Sequence, residues 1–110
     1  MIESKRVASV TVLQVHGKLT RESGLRPAIH TAFDGGSEII VLNFEEVSGI
    51  DSSGLGELLS CEATAMNRGG RIVICSPSPK ANAVILVAQL HMTFNVYATE
   101  AQALASVQPA

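Results

Sequence analysis

The sequence has few charged and few aromatic side chains. Of its 110 residues, 16% are Asp, Glu, Lys or Arg, 4% are aromatic, and none is tryptophan. The formal net charge of −2 provides no basic excess for binding phosphate backbones, so we expect no direct contact with nucleic acid. Hydrophobic residues make up 46% of the chain, which indicates a folded globular protein. The length suits a single domain over residues 1–110.

Long apolar runs are also missing. The longest, "AVILVA" at 83–88, is far shorter than the ~18 residues that a membrane span needs, so no membrane insertion is predicted. The opening "MIESKRVASV" carries charges where a secretory leader has an apolar segment, which predicts a cytoplasmic protein. The two cysteines, Cys61 and Cys75, fit no metal or redox spacing. We expect buried thiols and no cofactor.

Apolar periodicity predicts strands that alternate with helices. A β-branched run at 9–17 follows a shorter strand, and the near-continuous apolar run at 37–44 is typical of a strand covered on both faces. The 80–90 segment reads as a helix, although its apolar core would also suit a strand. The fold class is therefore α/β, a sheet with helices packed on it. The predicted order is a hairpin (2–5 and 9–17), a helix ended by Gly35-Gly36, strand 37–44, a loop carrying Gly49, helix 53–68, strand 71–75, helix 80–90, strand 94–97 and helix 99–107, with 107–110 fraying.

The stretch "GIDSSGLGELL" at 49–59 is the first candidate site, and a serine nucleophile is the first interpretation to test. A hydrolase elbow needs glycine two residues before the serine, whereas Asp51 precedes Ser53 and Ile50 precedes Ser52 at that spacing. The histidines that would supply a base are scattered over three predicted elements, at His16, His30 and His91. A serine hydrolase is therefore not predicted, and we expect that the protein as a whole is not an enzyme.

A phosphate-binding loop is the second interpretation of this stretch. "GLGELL" at 54–59 follows a strand and opens a helix, which is the context of a dinucleotide-binding fingerprint. Leu59 occupies the position of the third glycine, and no lysine completes a Walker A loop. The free amides of the helix N-terminus would still attract an anion.

The third interpretation concerns the serines as part of a helix start. Ser52 and Ser53 fall in the first turn, where either would act as an N-cap. A helix N-terminus also accommodates a phosphoserine, because the added negative charge meets the positive end of the helix dipole. Position alone favours the N-cap role over a phosphoserine.

The segments "VLNFEEVSGIDSSGLGELL", "GGRIVIC" and "LHMTFNVYATEAQAL" resemble the STAS domain, and more narrowly the bacterial anti-sigma factor antagonists. The resemblance extends from 13–19 to 100–104. It implies a single STAS-type α/β domain with a mixed four- to five-stranded sheet and about four flanking helices.

The resemblance also implies a mechanism. The unphosphorylated protein would bind an anti-sigma factor that is a serine kinase and so release a sigma factor. The kinase would phosphorylate Ser53, with Ser52 as the alternative, and a PP2C-type phosphatase would reset the switch. Ser53 is favoured because we expect it to be exposed at the helix start. The partner-binding residues would be Asp51, Ser52, Ser53, Gly54, Leu55, Gly56, Glu57 and Thr20. The alternative function is a STAS accessory or nucleotide-sensing module of a lipid transporter or a stressosome-like complex.

Two departures from the family pattern stand out. Thr20 occupies a position where many members have an aspartate near the phosphorylated serine, so partner contact or kinase positioning is expected to differ. The 82–90 segment is more apolar than is usual, which indicates either a well-buried helix or a docking surface at Val84 and Leu86.

Overall fold

A five-stranded mixed sheet forms the centre of the protein. The computed structural model describes residues 1–107, and its main sheet has the order β1-β2-β4-β6-β7. β1 pairs antiparallel with β2, and the remaining neighbours pair in parallel. The strands are β1 (Ile2–Val7), β2 (Val10–Val15), β4 (Ile39–Asn43), β6 (Arg71–Cys75) and β7 (Val96–Tyr97). The predicted opening hairpin and the mixed α/β sheet are confirmed.

Four helices cover both faces of this sheet. One face forms the larger core, to which the first three helices contribute buried side chains, and the other face packs against the last helix. Alternate residues of one strand enter different cores, as Leu42 and Val41 do, which explains the continuous apolar runs of the central strands. The helices are α1 (Leu25–Asp34), α2 (Ser52–Asn67), α3 (Pro79–Val87) and α4 (Glu100–Val107).

A second, two-stranded sheet lies where the sequence predicted a loop. β3 (Gly17–Leu19) pairs in parallel with β5 (Val47–Ile50), so the predicted loop around Gly49 is wrong in this part. The four residues of β5 include Ser48 and Gly49 and give little strand signal by themselves. Their extended conformation depends on pairing with a strand about 30 residues earlier in the chain.

The segment after β6 is a helix and not a strand. Ser78 caps α3, since its Oγ accepts a bond from Ala81 N at 3.1 Å and donates to Val47 O at 2.6 Å. The helix ends at Val87 and a 3₁₀ turn covers 90–92, so the predicted helix to residue 90 is too long. Val84 is half-buried and Leu86 is 56% exposed, which leaves only part of the expected outer face accessible.

The last helix has the predicted start and extends to the end of the described residues. Thr99 caps it, because its Oγ1 accepts a bond from Gln102 N at 3.1 Å. Val107, expected to fray, is buried in α4, and residues 108–110 lie outside the described residues. The single-domain assignment over 1–110 stays a prediction. Within residues 1–107 no helix is long and apolar enough to cross a membrane.

Candidate functional site

The small sheet brings two distant segments together beside α2. Leu19 pairs with Ile50 at the end of two parallel strands, so the residues that follow both strands emerge at the same edge. Asp51 N donates to Leu19 O at 3.2 Å and fixes this junction. The 3₁₀ turn over 21–23 therefore lies against the first turn of α2.

The hydroxyl of Ser53 is held between these two segments. Its Oγ donates to Asp51 Oδ1 at 2.7 Å and accepts a bond from Arg21 N at 3.0 Å. A hydroxyl has one proton to donate, and in Ser53 that proton is directed at a carboxylate. The side chain therefore has a defined orientation, and Ser53 lines a cavity of about 300 Å³ together with Thr20, Arg21, Glu22 and Asp51.

Asp51, and neither serine, is the N-cap of α2. Its Oδ1 accepts a bond from Gly54 N at 2.8 Å, which satisfies an amide of the first turn that has no intrahelical partner. The prediction that Ser52 or Ser53 caps the helix is therefore wrong. The carboxylate of Asp51, the residue before Ser52, accepts the hydrogen bond from the Gly54 amide. It also accepts the hydrogen bond from the Ser53 hydroxyl.

The pKa of Asp51 is lowered below its ordinary value by its surroundings. The bond from the Ser53 hydroxyl is the largest cause, and the bond from the Gly54 amide comes next. The positive charge of Lys18 acts in the same direction. The carboxylate is thus ionised at neutral pH and available as an acceptor for the serine proton.

Exposure distinguishes the two serines in the opposite sense to the prediction. Ser52 is exposed and Ser53 is half-buried, so the expected exposure of Ser53 is not what singles it out. Ser53 is instead the serine that lines the cavity and forms two hydrogen bonds through its hydroxyl. Which serine receives a phosphate stays a prediction.

Thr20 lies in the same cavity but has a local structural role. Its Oγ1 accepts a bond from Glu22 N at 3.1 Å, and Ser23 Oγ accepts one from Thr20 N at 2.8 Å. This reciprocal pair caps the 3₁₀ turn without a charged side chain. Thr20 therefore holds the turn that presents Arg21 N to Ser53.

The two glycines of α2 differ sharply in their surroundings. A Cβ built on Gly54 would lie 2.1 Å from the carbonyl oxygen of Leu19, whereas one on Gly56 would meet nothing within 4 Å. Gly54 is thus required for the close approach of helix and strand. Gly56 lies on the exposed side of the helix.

The remaining predicted partner-binding residues lie along α2, away from the cavity. Leu55 is half-buried and packs against the larger core. Glu57 forms an ion pair with Arg26, with 3.7 Å between Oε2 and Nε. Sequence reasoning missed Arg21 and Lys18, which contribute a main-chain donor and a positive charge. The only sequence signal for them is that Arg21 follows Thr20 directly and Lys18 lies two residues before it.

The other chemical candidates lie apart from this cavity. Nε2 of His16 is 3.5 Å from Oε1 of Glu3, whereas His30 and His91 are exposed on other elements. Burial raises the pKa of the Cys61 thiol to about 11, as it does for Cys75. Among residues 1–107, no group of three or more His, Cys, Asp and Glu side chains is arranged to hold a metal ion.

The statistical model of the STAS domain matches residues 1–103. The chain belongs to the STAS domain family. Members of this family that act as anti-sigma factor antagonists are in general non-enzymatic.

Solved structures show the same STAS fold. The anti-sigma factor antagonist SpoIIAA in its unphosphorylated form is 29% identical, with a TM-score of 0.80 over 97% of this chain and 96% of that one. The Bacillus cell fate determinant SpoIIAA in its phosphorylated form is 28% identical, with a TM-score of 0.75 over 98% and 100%. A putative anti-sigma factor antagonist from Thermotoga maritima, tm1081, is 24% identical, with a TM-score of 0.83 over 98% and 95%. This STAS domain is thus structurally similar to anti-sigma factor antagonists.

Proposed function

We propose that this STAS domain is an anti-sigma factor antagonist that works as a binding module in the cytoplasm. Its unphosphorylated form binds an anti-sigma factor that is also a serine kinase, and this binding releases a sigma factor. Phosphorylation of Ser53 ends the binding, and a PP2C-type phosphatase restores it. The observation that carries the proposal is the oriented hydroxyl of Ser53, a residue that lines the cavity, between Asp51 Oδ1 and Arg21 N.

The surroundings of Ser53 favour a phosphate in two ways. The hydroxyl lies in the first turn of a 16-residue helix, where the helix dipole stabilises negative charge. Arg21 N and the positive charge of Lys18 are close by. The modification would add about −1.5 to −2 charges at pH 7.

The same phosphate would change what the surface offers to a partner. Phosphorylation would remove the hydroxyl proton through which Ser53 donates its hydrogen bond to Asp51. It would also add a second anion beside that carboxylate. Glu22 contributes further negative charge to the same cavity. A partner that docks on the neutral hydroxyl would then meet a bulky and strongly negative group, which gives binding two distinct states.

The alternative, a nucleotide-sensing accessory module that uses the amides at 53–57, has less structural support. Asp51 already occupies amides at the start of α2, since its side chain accepts from Gly54 N and its carbonyl accepts from Leu55 N. An anionic ligand would have to displace the Asp51 carboxylate to reach Gly54 N, and Leu55 N is already bonded within the helix.

Two serine variants test the proposed switch. Intact-mass analysis after incubation with an anti-sigma factor kinase and ATP should show one added phosphoryl group in wild type and in Ser52→Ala, and none in Ser53→Ala. Ser53→Asp should lose binding to the same anti-sigma factor in calorimetry while its circular dichroism stays that of wild type. A phosphoryl group that persists in Ser53→Ala and is lost in Ser52→Ala would move the site to Ser52. Full binding by Ser53→Asp would refute the switch.

A further inference from the structure

An open cleft lies between the first strand and the first helix, at the edge of the main sheet. β1 is the end strand of this sheet and pairs, among the described strands, with β2 alone. The cleft between β1 and α1 has a volume of about 300 Å³, which is at the lower end of the range for small-molecule sites. We call it the edge cleft. None of its lining residues lines the cavity at Ser53, so it is a separate feature of the molecule.

Small side chains leave the space of the edge cleft empty. Alternate residues of a strand face the same side, which places Ile2, Ser4 and Arg6 of β1 along the cleft. The helix contributes residues that share one helical face and have little or no side chain: Ala28, Ala32 and Gly35. Two larger apolar residues also line the cleft, Leu13, which is buried, and Ile2, which is half-buried and packs against the larger core. The wall of the edge cleft is therefore mainly apolar and continuous with the larger core.

Arg6 supplies the charge of the edge cleft. Its Nε donates to Ala8 O at 2.9 Å and its Nη1 donates to Gly35 O, so main-chain atoms hold the guanidinium in place. These bonds use two of the five N–H groups of the guanidinium and leave three. No carboxylate of residues 1–107 forms an ion pair with Arg6, whereas Arg68 has Asp34 at 2.8 Å between Nη2 and Oδ1. The edge cleft thus contains an oriented cation with donors available for an anion.

The dimensions of the edge cleft indicate the shape of the molecule that it would hold. Ile2 to Arg6 spans about 14 Å along the strand at ~3.4 Å per residue, and Ala28 to Gly35 spans about 10 Å along the helix at ~1.5 Å per residue. A cleft of this length and volume suits one extended hydrocarbon chain of medium length. The cation at the Arg6 end suits a negative group at one end of that chain.

We propose that the edge cleft binds a small amphipathic carboxylate, which is a molecule with one apolar chain and one terminal carboxylate. The chain covers Ile2 and Leu13, and the carboxylate accepts hydrogen bonds from the guanidinium of Arg6. A doubly charged phosphate fits less well, because Arg6 is the only charged residue among the described residues that line the cleft. This inference does not rest on the proposed function and adds a ligand site to it.

The head group of the ligand gives the first test, in calorimetric titrations of the wild-type protein. The probes are octanoate, octanol and octylamine, which share one chain and differ in the charge of the head group. Octanoate should bind at one saturable site, and octanol should bind roughly tenfold or more weakly, because it lacks the charged acceptor for Arg6. Octylamine should not bind measurably, since its ammonium group would meet a like charge. Equal affinities for the three probes, or no saturable binding of octanoate, would overturn the proposal.

A pair of arginine variants tests the role of the cation. Arg6→Gln should weaken octanoate binding roughly tenfold or more and leave octanol binding nearly unchanged. Arg71→Gln is the matched control, because it makes the same charge change at an exposed arginine outside the edge cleft. Its octanoate affinity should stay within about twofold of wild type.

A pair of serine variants tests the place of the apolar chain. Ser4→Leu puts a large side chain into the edge cleft and should abolish the binding of both octanoate and octanol. Ser106→Leu makes the same change at an exposed serine of α4, which packs on the other face of the sheet, and should bind both probes as wild type does.

Thermal unfolding shows whether each variant folds, and the comparison of the three probes on wild type needs no variant. Octanoate affinity at the wild-type level in Arg6→Gln or in Ser4→Leu would place the ligand elsewhere and overturn the proposal. None of these titrations uses an anti-sigma factor, so their outcome is independent of the outcome of the Ser53 experiments.

Discussion

The two sides of α2 have opposite properties. The inner side consists of buried, mostly small residues that bring the helix against the end of β3 and the larger core: Gly54, Leu58, Cys61 and Ala65. The outer side exposes Ser52, Gly56, Leu59 and Met66. One helix thus combines a fixed position with a free surface. The inner side determines where the Ser53 hydroxyl lies, and the outer side can change without moving it.

The inner side should tolerate almost no added volume at its tightest point. Gly54→Ala is expected to destabilise the protein by about 3 kcal/mol or more, because the new Cβ would overlap the main chain of Leu19 and not a flexible side chain. Urea unfolding at pH 7 measures this loss. An unfolding midpoint equal to that of wild type would show that helix and strand separate at little cost.

The N-cap residue Asp51 should contribute less to the stability of the folded protein than Gly54 does, and its contribution should depend on pH. Because the pKa of Asp51 is lowered in the folded protein, its stabilisation is present above the unfolded value near 3.8 and is lost as pH falls through the lower folded value. Asp51→Asn keeps a capping oxygen and removes the charge. We expect it to be less stable than wild type at pH 7, with the difference disappearing at acid pH.

Thermal unfolding of both proteins from pH 7 to below pH 3 checks this expectation. Ser52→Ala is the control, because it removes a hydroxyl from the same turn and leaves the contacts of Asp51 in place. A difference between wild type and Asp51→Asn that stayed constant across the whole pH range would contradict the assigned role.

The outer side should accept a substitution that the inner side rejects. Gly56→Ala is expected to stabilise the protein by about 0.5–1 kcal/mol, since alanine is the better helix former and its Cβ meets open space. The same urea experiment measures it, so the two alanine variants form a matched pair. A loss of stability in Gly56→Ala would remove the contrast between the two sides.

The smallest effect is expected for the labelling of the two cysteines by a thiol reagent in the native protein. Cys61 is buried on the inner side of α2 and its pKa is raised to about 11, so almost no thiolate is present at neutral pH. A thiol reagent at pH 7 should label neither Cys61 nor Cys75 in the native protein and should label both in urea. Rapid labelling of Cys61 without denaturant would indicate that the helix opens from its inner side.

Local patterns predicted most of the main sheet and its helices. The apolar runs at 37–44 and 71–75 signal strands covered on both faces, and the structure contains β4 and β6 there. The strand β5 was not predictable, because its pairing with β3 is a contact between distant segments and its own residues favour a turn.

The site was predictable by its location and less by its details. The pattern around 51–57 indicated a helix start with functional serines, but the capping carboxylate, the half-buried state of Ser53 and the bond from Arg21 N depend on how β3 meets α2. The two glycines look equivalent in "GLG", and only the position of Leu19 separates them.

The contact between Gly54 and Leu19 fixes the position of Ser53, the proposed phosphoacceptor, independently of the exposed residues of α2. Main-chain atoms set the distance between the helix start and the turn at Arg21, so substitutions on the outer side leave the acceptor geometry unchanged. If the proposed switch operates, related chains in one cell could share the same phosphorylation chemistry and still recognise different partners. Insulation between parallel signalling pathways would then require changes at a few exposed positions of α2 and no change at the proposed switch.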